Sequence, residues 1–260
     1  MLFSAVRGGV AAALAAIVLA TSVPAEAGAI TRDGFAFEEG EQVTIAVFRP
    51  DVKVGSMKVG GMDEPNAEWT ETARTNIQAS LERQAEQRNS NMVFIDELEG
   101  ENAELLNEYR GLFEAVSGAM FQHVTAGDKL ATKMKATEVT NSRGTYRRKV
   151  QQLDWTLGPG AAQLREVTGA DYAMFVFTHD AYGDAGRKVA QVLAAGLFGA
   201  YVPAGIHIGY VGLVDLETGN IVWFNTDLAM GGDPRKEDGA DKRVRQLLEG
   251  FPETGAAAAE

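Results

Sequence analysis

The chain has 260 residues, 45% hydrophobic and 23% charged, an ordinary globular balance that excludes wholesale disorder. It contains no cysteine, which rules out disulfides, thiolate metal sites, a cysteine nucleophile and a lipidated N-terminal cysteine. Twenty-four Lys and Arg against 36 Asp and Glu leave a net charge of −12, which repels phosphate backbones and disfavours nucleic-acid partners.

Residues 1–27 read as a cleavable secretory signal peptide. Arg7 is the only charge before Glu26. Residues 9–20 form an apolar, alanine-rich run too short to span a bilayer comfortably. Pro24 and the A-x-A pattern Ala25-Glu26-Ala27 follow. The mature chain then begins at Gly28 or Ile30, and its expected address is the periplasm, without a lipid anchor. Residues 28–42 read as a flexible arm. Residues 43–48 are apolar and rich in β-branched side chains, which predicts a buried strand ended by Pro50. Residues 51–66 read as a loop or small ribbon, with Val52, Val54, Met57 and Val59 partly buried.

Residues 67–88 predict a helix. Trp69, Ala73, Ile77, Leu81 and Ala85 recur every four positions and mark one core-facing stripe. Asn66 suits its N-cap. A second strand at 92–95 leads into an acidic turn at 96–101. A second helix at 102–123 gathers Leu105, Leu106, Tyr109, Leu112, Phe113, Val116 and Met120 on one face. Residues 125–152 are polar and carry seven positive charges, including Arg147, Arg148 and Lys149. Their pattern hints at a partial helix but is too weak to assign one, and a solvated segment is preferred over a nucleic-acid patch.

Residues 159–168 read as a short helix ended by Gly169. A strongly apolar strand at 171–178 and a small-residue helix at 188–201 follow. Residues 206–216 and 220–226 form a hairpin whose turn needs a positive φ at Gly219. A terminal helix at 241–248 precedes a disordered tail, 251–260. No glycine- or proline-rich linker interrupts residues 43–250. The expected fold class is therefore a single α/β domain: three-layer-like, with a mixed β-sheet, helices packed on it and a C-terminal β-hairpin.

Chemistry is sparse in this sequence. His123, His179 and His207 form no H-x-x-x-H or H-E-x-x-H pattern. There is no G-x-S-x-G elbow, and no Walker loop or G-x-G-x-x-G follows a strand. The acidic turn Asp96, Glu97, Glu99, Glu101 and the group Asp233, Glu237, Asp238, Asp241 lack calcium-loop spacing. No catalytic, cofactor-binding or metal residue is assigned, and no cofactor is expected. The most unusual stretch is Val189 to Val214, which carries no formal charge. Pro203 and Gly205 interrupt it. It reads first as a buried small-residue helix followed by a central strand, then as an oligomer contact, and last as membrane-associated. Leu193, Leu197, Phe198 and Tyr201 are its candidate partner-contact residues.

Several segments together carry a family resemblance. They are residues 47–51 (Val-Phe-Arg-Pro-Asp), 68–74 (Glu-Trp-Thr-Glu-Thr-Ala-Arg), 154–160 (Asp-Trp-Thr-Leu-Gly-Pro-Gly), 168–173 (Thr-Gly-Ala-Asp-Tyr-Ala) and 212–225 (Gly-Leu-Val-Asp-Leu-Glu-Thr-Gly-Asn-Ile-Val-Trp-Phe-Asn). The chain resembles an exported alphaproteobacterial family. More distantly it is similar to the curli-secretion-channel, penicillin-binding-protein-activator and TolB N-terminal group of envelope proteins. The resemblance implies a three-layer α/β domain used in envelope assembly, through self-association or docking on an envelope protein, and not an enzyme. It departs from many of that group in lacking a lipid-accepting cysteine. It also shows no pair of long alternating segments that would build a membrane barrel. The rival expectation is a periplasmic hydrolase or small-ligand-binding protein, with a site near the 178–182 and 227–240 loops, around His179 and Asp180.

Overall fold

The computed structural model describes residues 28–38, 42–88, 90–125, 133–141, 144–198 and 205–252. In chain order the elements are β1 (Ile30–Thr31), β2 (Ile45–Phe48), β3 (Asp51–Met57), β4 (Asp63–Pro65), α1 (Ala67–Gln87), β5 (Met92–Ile95) and α2 (Glu101–Thr125). After them come β6 (Lys133–Asn141), β7 (Gly144–Gln152), a single 3-10 turn at Pro159–Ala161, α3 (Ala162–Thr168), β8 (Tyr172–Gly183) and α4 (Ala185–Phe198). The hairpin β9 (Gly205–Asp215) and β10 (Ile221–Asp227) and the last helix α5 (Glu237–Leu247) complete the set.

The main sheet runs β1-β10-β9-β8-β2-β5, and β3 lies beside the far half of β8 with β4 outside it. β2, β3 and β5 are parallel to β8 or to one another, whereas β9, β10, β1 and β4 pair antiparallel, so the sheet is mixed. β2 and β3 are two halves of one run. Ile45 sits opposite Tyr172, but Asp51 sits opposite Phe177, so one extra residue lies on the β2–β3 side. That bulge falls at Arg49-Pro50, where proline offers no N–H to the ladder.

The topology explains the three layers. The chain moves from β2 outward to β5 through α1, then back past β2 to β8 through α2 and α3. Right-handed crossovers in opposite directions place these helices on opposite faces. One core lies under α1 and α5 and contains Ile45, Val47, Val52, Val54, Met174, Val176, Leu213 and Trp223. The other lies under α2 and α3 and contains Phe48, Phe175, Tyr210, Val214 and Phe224. Alternate residues of the same strands serve the two cores, as a sheet covered on both faces requires.

The α1 stripe is in phase. Ala73, Ile77, Leu81 and Ala85 are buried, and the Asn66 side chain accepts from the Trp69 N–H at 2.9 Å. On α2, Leu106, Tyr109, Phe113 and Met120 are buried, while Leu112 faces water. Gly219 has φ 73°, and a Cβ there would lie 1.9 Å from the Gly158 carbonyl oxygen, so both conformation and space demand glycine.

Three expectations change. Residues 51–66 are a ribbon that also joins the main sheet: Val52, Val54 and Met57 are buried, but Val59 is exposed. The segment read as a flexible arm supplies the edge strand β1 and buries Phe37 against Tyr172 and Phe251. The unassigned 125–152 stretch holds the antiparallel ribbon β6–β7, which pairs in register from Lys133↔Gln152 to Asn141↔Gly144. It was illegible because its polar composition carries no sustained apolar alternation to mark a strand. The proposed signal peptide, 1–27, and residues 253–260 of the tail lie outside the described residues.

Candidate functional site

Two places merit a functional reading: one follows β8, and the other is built on its C-terminal half. The first is α4. The sequence favours a buried small-residue helix here, and that expectation is corrected: Val189, Val192 and Leu193 are 60%, 72% and 52% exposed. Their i, i+3, i+4 spacing puts them on one stripe. The β3–β4 turn sits against the first turn of α4, because the Asp184 N–H donates to the Met57 carbonyl (3.1 Å) and the Arg187 Nη1 to the Lys58 carbonyl (3.1 Å). That turn adds two further exposed apolar residues, Val59 and Met62. Of the four candidate contact residues, Leu193 is on the outward stripe. Leu197 and Phe198 lie on the last turn of α4 with their side chains outside the description, and Tyr201 lies outside the described residues. Among the described residues, no helix is long and apolar enough to cross a membrane.

The second place is a polar network on the α1/α5 face. The sequence pairs His179 with Asp180 as neighbours, but successive strand residues point to opposite faces. His179 turns to the α2 side and meets Asp63 of β4, Nε2 to Oδ2 at 2.6 Å. Asp180 turns to the other side, is fully buried, and meets His207 of β9 instead, Oδ1 to Nδ1 at 2.6 Å. The same Oδ1 accepts from Nη2 of the fully buried Arg243 on α5. Arg243 also donates to the Gly232 carbonyl, from Nε at 3.0 Å and Nη2 at 2.8 Å. Oδ2 of Asp180 is buried without a hydrogen-bond partner.

Further out, Arg235 forks onto Asp233 with two 2.8 Å hydrogen bonds, and its guanidinium lies between the rings of Trp69 (4.4 Å) and Tyr182 (4.1 Å). The Arg235 hydrogen bonds hold the Asp233 carboxyl down at about 2. Tyr182 donates to Asp233 at 3.1 Å. Burial, and then the Asp180 and Asp233 carboxylates, push its hydroxyl well above the usual phenol value. The 178–182 and 227–240 segments are thus brought together, around Asp180, Tyr182, Asp233 and Arg235.

Sequence reasoning missed His207, Arg243 and Trp69 as members of this group. The signal was present for Arg243. It shares a helix face with Ala240, Val244 and Leu247, and a cation on a buried stripe calls for a buried acid. The arrangement has a histidine–carboxylate pair with a partly exposed imidazole. Among the described residues no hydroxyl is hydrogen-bonded to His207 Nε2, and no three His, Asp or Glu side chains gather as a metal-binding group.

No protein-family model and no curated protein sequence matches the chain. Among solved structures it is similar to a PelC dodecamer from Paraburkholderia phytofirmans, at 9% identity over 85% of this chain and 95% of that one, with a TM-score of 0.33. It is also similar to the LpoB C-terminal domain from Salmonella enterica (14%, 75% and 85%, TM-score 0.24). A third is the lipoprotein GNA1162 from Neisseria meningitidis (11%, 71% and 80%, TM-score 0.28). Alignments this loose carry no residue role from those proteins to this chain.

Proposed function

We propose that this chain is a non-enzymatic exported protein. It acts in cell-envelope assembly or export by binding an envelope protein or its own copies, and α4 is the contact surface. The observation that supports this reading is the outward apolar stripe Val189, Val192, Leu193, extended by Val59 and Met62. Each fully buried side chain of this size is worth about 1.5–3 kcal/mol, so several left in water form a surface that gains from being covered. The stripe lies on a connection between adjacent antiparallel strands, which need only a tight turn. Size-exclusion chromatography with light scattering on wild type and on a Val192→Glu, Leu193→Glu double variant tests it, together with crosslinking in native envelopes. Association present in wild type and lost in the folded variant supports the reading. A monomer that captures no partner in either assay overturns it.

A second reading, a periplasmic hydrolase or small-ligand-binding protein, draws on one observation: the partly exposed His207 anchored by buried Asp180. His207→Ala, not His179→Ala, is its test. A folded His207→Ala protein that loses a ligand or activity seen in wild type favours this reading. An unchanged protein removes it.

A further inference from the structure

A cavity of about 290 Å³ opens between α2 and the sheet, on the face opposite the Asp180 network. Its floor is aromatic. The rings of Phe113 and Phe175 stack at 4.7 Å, and those of Phe177 and Tyr210 at 4.6 Å. These residues arrive by alternation, since Phe175 and Phe177 are the β8 positions that face α2. One end of the cavity is cationic, formed by Arg49 at the β2–β3 bulge and Arg110 on α2.

The two arginines are not equivalent. Arg49 is held by Glu97 at 3.1 Å and Glu71 at 3.6 Å. Arg110 Nη2 is buried and has no hydrogen-bond partner. A buried guanidinium donor left unpaired is costly, and such groups are rare in folded proteins. Burial, and then the Arg49 charge beside it, hold Arg110 below the ordinary arginine range, against the smaller opposing pull of Asp51 and Glu97. The acids lining the cavity, Asp51 and Glu114, are both engaged by Lys53 at 3.3 Å. The net charge of −12 repels anions in general, so attraction here has to come from this local pair.

We propose that this cavity binds a small amphipathic anion. Its carboxylate or phosphate bridges Arg110 and Arg49, and its apolar body lies along Phe113, Phe175, Phe177 and Tyr210. The cavity is roughly twice the engineered one of about 150 Å³ that holds benzene, which suits a body of about a dozen heavy atoms. An aromatic acid and a short fatty acid share this chemistry. The site is independent of α4, and its failure leaves the docking role untouched.

The experiment is calorimetric titration of the full chain with 2-naphthoate and with decanoate, each against an uncharged counterpart, methyl 2-naphthoate or decanol. A carboxylate should bind about tenfold more tightly than its neutral partner, the usual scale of a charge-assisted hydrogen bond. Whichever carboxylate binds better identifies the body as aromatic or aliphatic. Arg110→Gln should erase the preference for the charged form, and Arg110→Lys should restore part of it. Gly111 lines the same cavity, and a Cβ there meets nothing within 4 Å. Gly111→Leu should therefore fill the cavity and abolish binding while the helix gains propensity and the melting temperature holds or rises. Equal binding of charged and neutral forms overturns the proposal, as does no binding at millimolar ligand. So does a preference that survives Arg110→Gln, or binding that survives Gly111→Leu.

Discussion

Helices α1 and α4 carry apolar stripes of the same helical period and place them in opposite surroundings. On α1, Ala73, Ile77, Leu81 and Ala85 are all buried over the sheet, with α5 packed alongside. On α4, Val189, Val192 and Leu193 face water. The difference follows from what each helix connects. α1, entered by way of β4, lies on the crossover from the β2–β3 run to the parallel strand β5, and has to cross the sheet face to do so. α4 joins the ends of antiparallel neighbours β8 and β9 and has no sheet to cross. An apolar period therefore reports a face that gains from cover, and topology decides whether the chain itself supplies the cover.

Substitutions on the covered side should have the largest effects. Arg243→Leu removes the buried guanidinium from Asp180, leaves it the His207 contact alone, and should cost about 3–5 kcal/mol in urea unfolding, because a buried charge pair has been broken. A loss below about 1 kcal/mol would mean that α5 is not anchored through this pair. Ile77→Ala and Leu81→Ala should each cost roughly 2–5 kcal/mol, the sum of lost transfer energy and a cavity.

Acid should weaken the same side by a smaller amount. Asp233 is held at about 2, below its ordinary 3.8, chiefly by the Arg235 hydrogen bonds. The folded value lies below the unfolded one, so the stabilisation is complete above about pH 5 and disappears as pH falls toward 2. With a discount for partial exposure it amounts to about 1–2 kcal/mol. Denaturation midpoints of wild type and Asp233→Asn, compared at pH 7 and pH 3, should converge at the lower pH. A gap that stays constant would assign the stabilisation elsewhere.

The smallest effects belong to α4. Val192→Ala and Leu193→Ala should change the stability of the isolated chain by about 0.5 kcal/mol or less, since neither side chain is covered. A loss comparable to that of Leu81→Ala would abolish the contrast between the two helices.

Much of the framework was legible in the sequence. Four-residue spacing located α1 and its inward face, and Gly219 marked the hairpin turn. The mixed sheet followed from alternating elements closed by a hairpin. The less legible features arise from long-range pairing. β3 reads only as a loop or small ribbon because its place in the main sheet acquires meaning when it lies beside β8. The His207–Asp180 contact joins residues 27 apart in sequence, and only strand alternation indicates that Asp180, not His179, turns toward α5. Composition ranks core ahead of an oligomer contact for the α4 stripe because it suits either environment, although Leu193 is among the candidate contact residues.

The most direct measurement places a photo-crosslinking residue at position 192 and, as a control, at position 86, an exposed position on the outer side of α1. Both proteins are exported and irradiated in intact cells, and the products are resolved by size and mass spectrometry. A discrete adduct to an envelope protein or to a second copy from position 192, absent from position 86, is the expected result. Two correctly folded proteins that yield no adduct at 192, or the same diffuse adducts at both positions, would contradict the assignment of α4 as the docking surface.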